Sequence, residues 1–257
     1  MKIVITQRGI AMEKRLVNNN GCLSGKHKPA QELARKAMEQ VAAEIKPGMS
    51  EAQVKALAEE KMSALGSEGW WYHNVGALVL AGKGRSKLSV SGRDYGASEE
   101  VILGENDLVS LDFSPIVNGC WGDYARTIYM EDGHGKLEPE APTGDEFAEG
   151  YEMELRLHRE LVEWVRPETT YEEVSEHMSR ILSEEGFENM DFHGNFGHSI
   201  EDAPGDRIYL EPGNKKTLGG HGKPFTFEPH IAKIGKEWGF KREQIYVFGE
   251  DGRIRPL

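Results

Sequence analysis

The chain has 257 residues, of which 38 % are hydrophobic, and it carries a formal net charge of −12 at pH 7. This length and apolar content are enough for a sizeable core, which excludes a disordered protein. The acidic balance argues against a nucleic-acid binder, which needs a basic surface. No apolar run reaches membrane-spanning length and no signal-peptide pattern opens the chain, so we expect a cytoplasmic protein without a membrane partner.

Two pairs of helices are predicted in chain order. Apolar residues at helical spacing predict helices over about 28–45 and 50–65, with the stop signal KPG between them. The same arrangement returns later, with a helix over about 145–165, the connection VRPETTYEEV and a helix that ends near 185. The polar, turn-rich segment EDGHGKLEPEAPTG separates the two pairs.

The second pair of helices repeats the first at an offset of 120 residues, which aligns Pro47 with Pro167. Two ordinary helical hairpins that share a proline turn are the chance explanation, but the order of elements also repeats and favours an internal duplication. We therefore predict a short N-terminal extension over 1–27, followed by two similar halves at about 28–131 and 145–252 within a single domain.

Strand-like sequences follow each pair of helices. In the first half they are VGALVLAG, DLVSLDFSPIV and ARTIYM, and in the second half they are KPFTFEPHIAKI and QIYVFGED. Glycine, asparagine and aspartate turns bound them, as β-hairpins require. The pattern predicts an α+β architecture in which helices cover one curved, mostly antiparallel sheet.

Two acids flank a predicted hairpin turn in the stretch SLDFSPIVNGCWGDYARTIYM. With Asn118-Gly119 as the turn, Asp112 and Asp123 lie on neighbouring strands, where they can share one ligand. Taken alone, two acids at this spacing are more often a pair that faces solvent. The second half of the chain therefore decides between these interpretations.

The second half supplies further polar residues against apolar strands, namely His198, Glu228 and Glu243. An unpaired charge in such a setting is costly, which argues that something neutralises these side chains. Together with the two earlier acids they make four carboxylates and one imidazole, distributed over two halves. This set predicts a site for two divalent cations.

These five residues, with the strings around them, resemble the methionine aminopeptidase and Xaa-Pro peptidase family, M24, whose fold is the pita-bread fold. The matching strings are DLVSLDFSP, GDYART, GKPFTFEP and EQIYVFGEDG, and the resemblance extends from about Pro29 to Gly252. It implies a fold of two pseudo-symmetric halves and a metal-dependent hydrolase, aminopeptidase or dipeptidase, that acts on a small peptide. The short interval from Glu228 to Glu243 is closer to the Xaa-Pro peptidase branch.

The resemblance also implies roles for the five residues. Asp123 and Glu243 would bridge two metal ions, Asp112 would complete one ion, and His198 with Glu228 the other, while a metal-activated water attacks the amide. Carboxylates suit Mn, and an imidazole also suits Zn, Co or Fe, so two divalent ions of one of these kinds are expected per chain. A homodimer is the default expectation for such an enzyme.

The chain departs from the family at two positions where a substrate-facing histidine is expected. Asp94 stands at the first position and Gly205 at the second. His73, in the string WWYHN, is a candidate replacement donor, and a histidine packed among aromatic residues is the alternative interpretation. These departures keep two other functions open: the same metal site acting on a non-peptide C–N bond or an amino-acid derivative, and a non-catalytic binding protein on the same scaffold.

Overall fold

The structure is a computed structural model that describes residues 25–257. Nearly all of the predicted extension over 1–27 therefore lies outside the described residues. The α-helices are α1 (Lys28–Glu44), α2 (Glu51–Ala64), α3 (Asp145–Trp164), α4 (Tyr171–Glu184) and α5 (Leu218–His221). The strands are β1 (Ala77–Ala81), β2 (Asp107–Phe113), β3 (Ile116–Val117), β4 (Cys120–Trp121), β5 (Tyr124–Glu131), β6 (His134–Lys136), β7 (Phe187–Asn189), β8 (Phe225–Phe227), β9 (His230–Lys233), β10 (Gly239–Lys241), β11 (Gln244–Phe248) and β12 (Ile254–Pro256).

The four long helices form two hairpins that begin their second helices in the same way. Ser50 caps α2 in a capping box with Gln53, and Thr170 caps α4 in a capping box with Glu173. In a capping box each side chain satisfies a main-chain N–H of the first helical turn, which stabilises the start of the helix by about 1 kcal/mol. The two N-cap residues are 120 positions apart, which is the predicted offset. The duplication itself stays a prediction.

The strands are paired antiparallel throughout the described range and form four hydrogen-bonded sheets, ordered β1-β2-β5-β6, β10-β9-β7, β12-β11-β8 and β3-β4. The sheets of the two halves meet at β5 without a continuous ladder. Instead, the N–H of Glu243 donates to the carbonyl of Ala125 at 2.9 Å, and the N–H of Lys241 donates to Oγ1 of Thr127 at 2.8 Å. Because one of these acceptors is a side chain, the regular ladder stops there.

Strand β2 is covered on both faces, which determines where its polar residues point. Val109, Leu111 and Phe113 pack in the core of the first half, whereas Leu108 packs in the core of the second half. Side chains alternate along a strand, so Asp112 shares the face of Leu108 and is directed toward the second half. No helix between residues 25 and 257 has the length and apolar character needed to cross a membrane.

Candidate metal centre

The first-half acids are placed by a small antiparallel hairpin. Asn118 and Gly119 form the two-residue turn between β3 and β4, and both have positive φ, +53° and +67°, as a tight hairpin turn requires. Asp112 lies on β2 opposite Ala125 of β5, and Asp123 lies just before β5. The turn predicted from the sequence therefore exists, and it returns the chain so that both aspartates line one cavity.

Helix α1 fixes the main chain of Asp123. The side-chain amide of Gln31 donates from Nε2 to the carbonyl oxygen of Asp123 at 2.7 Å, and its Oε1 accepts from the Asp123 N–H at 2.9 Å. Both residues are buried. The two bonds satisfy the main-chain donor and acceptor of Asp123, so its carboxylate remains available for another partner.

The second-half residues come from three separate segments. His198 follows Gly197, where a Cβ atom would overlap the carbonyl oxygen of Thr226, so glycine is required for the close approach of these two chains. Glu228 directly follows β8, and Glu243 directly precedes β11. All three side chains meet the first-half acids at the junction of the two halves.

Two groups of ligand atoms form at this junction, each with its atoms within 4.8 Å of one another. One group is Asp123, His198 and Glu243, and the other is Asp112, Glu228 and Glu243. Glu243 belongs to both groups, whereas Asp123, which was also expected to bridge, belongs to one. Glu228 Oε1 lies 3.7 Å from Nε2 of His198, the partner expected from the sequence, and Glu228 also shares a group with Asp112. The roles of these residues as metal ligands stay predictions.

The first group has the chemistry of a metal site. Oδ2 of Asp123 and both carboxylate oxygens of Glu243 are buried without a hydrogen-bond partner among residues 25–257. Nδ1 of His198 lies 3.0 Å from the carbonyl oxygen of Ser199, which can only accept, so Nδ1 carries the hydrogen and Nε2 keeps its lone pair. Nε2 lies 3.3 Å from Oδ2 of Asp123. Three orphaned oxygens beside an imidazole lone pair fit a divalent cation.

Burial and crowded negative charge shift the acids of this site. Burial, together with the charges of Asp123, Glu228 and Asp112, raises the pKa of Glu243 well above its usual range. Burial also raises the pKa of Asp123, against the opposing effect of His198. A bound cation would favour the ionised carboxylates of both residues.

The second group already contains a cation. Nζ of Lys241 lies 2.6 Å from Oδ2 of Asp112 and 3.2 Å from Oε2 of Glu228. Burial acts to raise the pKa of Glu228, but the positive charge of Lys241 and the neighbouring imidazole of His198 outweigh it, and the pKa is lowered. One ammonium therefore contacts a carboxylate from each half of the chain.

A cavity of about 300 Å³ opens onto Asp112, Asp123, His198 and Glu228, and of the other candidate residues only His73 lines it. His73 lies on its exposed rim, with its ring against Tyr72 at a centroid distance of 4.8 Å, so its role as a donor to the substrate stays a prediction. Asp94 and Gly205 are both exposed and neither lines the cavity. His230 does line it, but its Nε2 bonds to the carbonyl of Ser86 at 2.7 Å.

Arg207 is a cation of the cavity wall beside His198. Its guanidinium lies over the rings of Trp71, Tyr72 and Tyr209, at 4.9, 5.7 and 5.8 Å from the centroids, and its Nη1 is 3.3 Å from Nε2 of His198. Arg207 forms no salt bridge with a carboxylate of the described chain. The guanidinium therefore packs against aromatic faces, and its positive charge can still pair with an anionic group in the cavity.

Sequence reasoning missed Arg207 and Lys241. A signal for Lys241 was present, since it stands two residues before Glu243 in an extended segment and side chains two residues apart share a face. Arg207 follows His198 by nine residues through an irregular segment, so no periodicity connects them. Only the folded chain brings the guanidinium next to the imidazole.

Comparison with known proteins identifies the family of the chain. Metallopeptidase family M24 matches residues 25–250. The chain belongs to metallopeptidase family M24. It is 30 % identical over 208 residues to a probable dipeptidase PepE of Mycobacterium bovis, covering 81 % of this chain and 50 % of the relative. It is 26 % identical over 229 residues to a Xaa-Pro dipeptidase of Pyrococcus furiosus, covering 87 % of this chain and 58 % of that protein.

Solved structures of M24 proteins share the fold. The crystal structure of X-Pro aminopeptidase from Thermotoga maritima superposes with a TM-score of 0.73 at 21 % identity, over 91 % of this chain and 60 % of that one. The predicted α+β pita-bread fold is thereby confirmed. The chain spans between about half and three fifths of the length of these M24 relatives.

Proposed function

We propose that this M24 protein is a metal-dependent hydrolase that cleaves an amide bond of a small peptide, with Xaa-Pro peptides as the first substrates to test. The observation that carries the proposal is the convergence of four carboxylates and one imidazole at the junction of the two halves, with three carboxylate oxygens left without a partner in the described chain. The names of the relatives, dipeptidase and Xaa-Pro dipeptidase, support the substrate class.

We further propose that the site holds two divalent ions. Asp123, His198 and Glu243 would hold one, and Asp112, Glu228 and Glu243 the other. When bound, such ions polarise a carbonyl group and lower the pKa of water. Mn, Co, Zn and Fe all remain candidates, because carboxylates and an imidazole suit each of them.

The residues around the centre support a short substrate with a free carboxylate. The cavity of about 300 Å³ is at the lower end of the range for small-ligand sites. Arg207 can form a bidentate pair with a carboxylate, and its position beside His198 would set such a group close to the metal ligands. Exposed Leu88 and Phe192 line the same cavity and offer apolar contacts to a side chain.

A second candidate is hydrolysis of a non-peptide C–N bond or an amino-acid derivative at the same centre. The observation that favours it concerns the two positions where the family resemblance leads one to expect a substrate-facing histidine. Asp94 and Gly205 stand there instead, and both are exposed and away from the cavity. A non-catalytic binding protein is the remaining alternative. The five converging polar groups argue against that alternative, because a scaffold alone does not require them.

The test measures metal content and amide cleavage separately. The full chain is stripped with chelator, reloaded with Mn²⁺, Co²⁺, Zn²⁺ or Fe²⁺, and assayed against Xaa-Pro dipeptides, Met-peptides and amino-acid amides. We expect metal retention and cleavage in the wild type, and loss of both in Asp123→Asn. Glu131→Gln is the matched control, since Glu131 is also buried but bonds to Lys136, Thr143 and Gly144.

The possible results separate the candidates. Wild-type protein that retains no ion under any supply contradicts both hydrolase proposals. Bound metal with cleavage only of amides or derivatives supports the second candidate, and bound metal without any cleavage supports the binding protein. The homodimer and the cytoplasmic location stay predictions, the first to be checked by the mass of the protein in solution.

A further inference from the structure

Asp191 is a carboxylate of the cavity wall that the metal centre does not use. It follows β7 by two residues, lines the cavity that opens onto the centre, and belongs to neither group of candidate metal ligands. Its side chain is half-buried. A carboxylate in such a setting normally has a partner for its charge, so the contacts of its two oxygens indicate what it can bind.

One oxygen of Asp191 holds the loop in which the residue lies. Oδ1 accepts hydrogen bonds from the N–H of His193 at 2.9 Å, the N–H of Asn195 at 3.1 Å and the side-chain amide of Asn195 at 2.8 Å. Asn189 closes the same loop, because its Oδ1 accepts from the N–H of Asp191 at 3.0 Å and its Nδ2 donates to the carbonyl of Asn195 at 3.0 Å. The carboxylate is therefore held in place before a ligand arrives.

The other oxygen, Oδ2, has no hydrogen-bond partner among residues 25–257. Burial and the negative charge of Glu228 raise the pKa of Asp191, against the opposing effect of its main-chain hydrogen bonds and of Lys241. The ammonium of Lys241 contacts Asp112 and Glu228 instead, at 2.6 and 3.2 Å. Asp191 therefore presents an oriented carboxylate oxygen to the cavity without a cation of the described chain bound to it.

We propose that Asp191 binds the free α-ammonium group of the substrate and so selects peptides with an unblocked amino terminus. Hydrogen bonds between an ammonium and a carboxylate are among the strong ones, and they strengthen where water is excluded. The proposal rests on the proposed function and adds to it the residue that recognises the amino end. Because Arg207 lines the same cavity, each charge of a zwitterionic dipeptide has a counterpart there.

The experiment measures peptide binding to the metal-free full chain by calorimetry, so that no bound ion can contact the amino group. The probes are Ala-Pro and propionyl-Pro, which differ only in that a hydrogen atom replaces the ammonium group. In the wild type we expect Ala-Pro to bind about 10-fold more tightly or better. Asp191→Asn should weaken the binding of Ala-Pro by about the same factor and change that of propionyl-Pro by less than about 2-fold.

The variant and its control are matched in chemistry. Asp191→Asn keeps a side-chain oxygen for the three donors that bond to Oδ1, so the loop should retain its conformation. The control is Asp107→Asn. Asp107 is also buried and accepts main-chain hydrogen bonds, from Gly104 at 3.0 Å and Leu108 at 2.8 Å, but it does not line the cavity. This control should leave the dissociation constants of both probes unchanged.

A third probe separates the two sources of an ammonium group in a peptide. In 6-aminohexanoyl-Pro the only ammonium lies at the end of the side chain of a lysine analogue, and we expect it to bind no better than propionyl-Pro. If it binds more tightly than Ala-Pro and loses that affinity in Asp191→Asn, then Asp191 recognises a basic side chain and the proposal is overturned.

The remaining outcomes are equally decisive. The proposal is overturned if the wild type shows no preference for Ala-Pro over propionyl-Pro, or if Asp191→Asn weakens both probes equally. In metal-loaded protein that cleaves Ala-Pro, Asp191→Asn should raise KM about 10-fold with a smaller change in kcat. Metal-loaded protein that cleaves no amide contradicts the proposed function instead, and the comparison of binding to the metal-free chain still stands.

Discussion

The side-chain amide of Gln31 forms two hydrogen bonds with the main chain of Asp123, at 2.7 and 2.9 Å, across 92 positions of sequence. Helix α1 thereby holds a candidate metal ligand that lies on no regular strand ladder. In Gln31→Leu the N–H and the carbonyl of Asp123 lose these partners while remaining buried. We expect a loss of about 1–3 kcal/mol in the free energy of unfolding, measured by urea denaturation.

The same substitution should weaken metal binding, because the position of the Asp123 carboxylate is no longer fixed. The control is Glu32→Leu, at the exposed neighbouring position of α1. A Gln31→Leu protein with unchanged metal affinity would show that the pair serves stability alone.

Glu154 gives a pH-dependent prediction outside the metal ligands. It is buried, accepts hydrogen bonds from Thr127 and Tyr129, and burial raises its pKa to about 7. The folded chain therefore binds a proton that the unfolded chain releases near pH 4.5, so this residue costs stability as the pH rises from about 4.5 to 7. Glu154→Gln should be up to about 3 kcal/mol more stable than wild type at pH 8 and similar at pH 4.

Glu131 gives the prediction of opposite sign, because its pKa is lowered in the folded chain rather than raised. Burial alone would raise its pKa, but hydrogen bonds from Lys136 and from the N–H groups of Gly144 and Thr143 lower it to about 2. Its contribution to stability is present above pH 4.5 and is lost as the pH falls toward 2. Glu131→Gln should therefore be less stable than wild type at pH 7, and the difference should shrink as the pH falls from 4.5 toward 2. Chemical denaturation between pH 2 and 8 checks the signs for both Glu154 and Glu131.

Arg207 should distinguish peptides by their carboxyl terminus. If its guanidinium binds the substrate carboxylate, Arg207→Ala should lower kcat/KM about 10- to 100-fold for a peptide with a free carboxylate. The amidated peptide should be affected much less. Arg207→Lys retains the charge but not the bidentate geometry, so we expect an intermediate loss. Equal losses for both peptides would instead assign Arg207 to the positioning of His198.

Gly197 and Gly205 form a matched pair for a packing prediction. A Cβ atom at Gly197, where φ is +141°, would overlap the carbonyl of Thr226, whereas a Cβ atom at Gly205 would meet nothing within 4 Å. Gly197→Ala should cost about 1–3 kcal/mol and weaken metal binding by shifting His198. Gly205→Ala should be neutral in thermal unfolding and in metal titration, and a loss there would contradict its exposed position.

Much of the fold and part of the site could be predicted from the sequence. The periodic apolar positions of α1 to α4 were sufficient to predict those helices with boundaries within one or two residues. The five polar residues predicted as ligands do meet at the junction of the two halves, although their role as ligands stays a prediction. Strand alternation determines their direction, as for Asp112 on β2.

The remainder depends on contacts between segments far apart in the chain. Lys241 contacts Asp112 and Glu228, and Arg207 stacks on three aromatic rings from two separate segments. Neither set of contacts has a local periodicity. The sheets of the two halves likewise meet through single bonds at β5, such as the one from the N–H of Glu243 to the carbonyl of Ala125.

The division of the candidate metal ligands between the two halves of the chain also has a kinetic consequence. Asp112 and Asp123 come from the first half of the chain, and His198, Glu228 and Glu243 come from the second, so contacts between the two sets join residues at least 75 positions apart. Contacts of such long range form late in folding, because the intervening chain must first be ordered. High-affinity capture of a metal ion would therefore report the completion of folding.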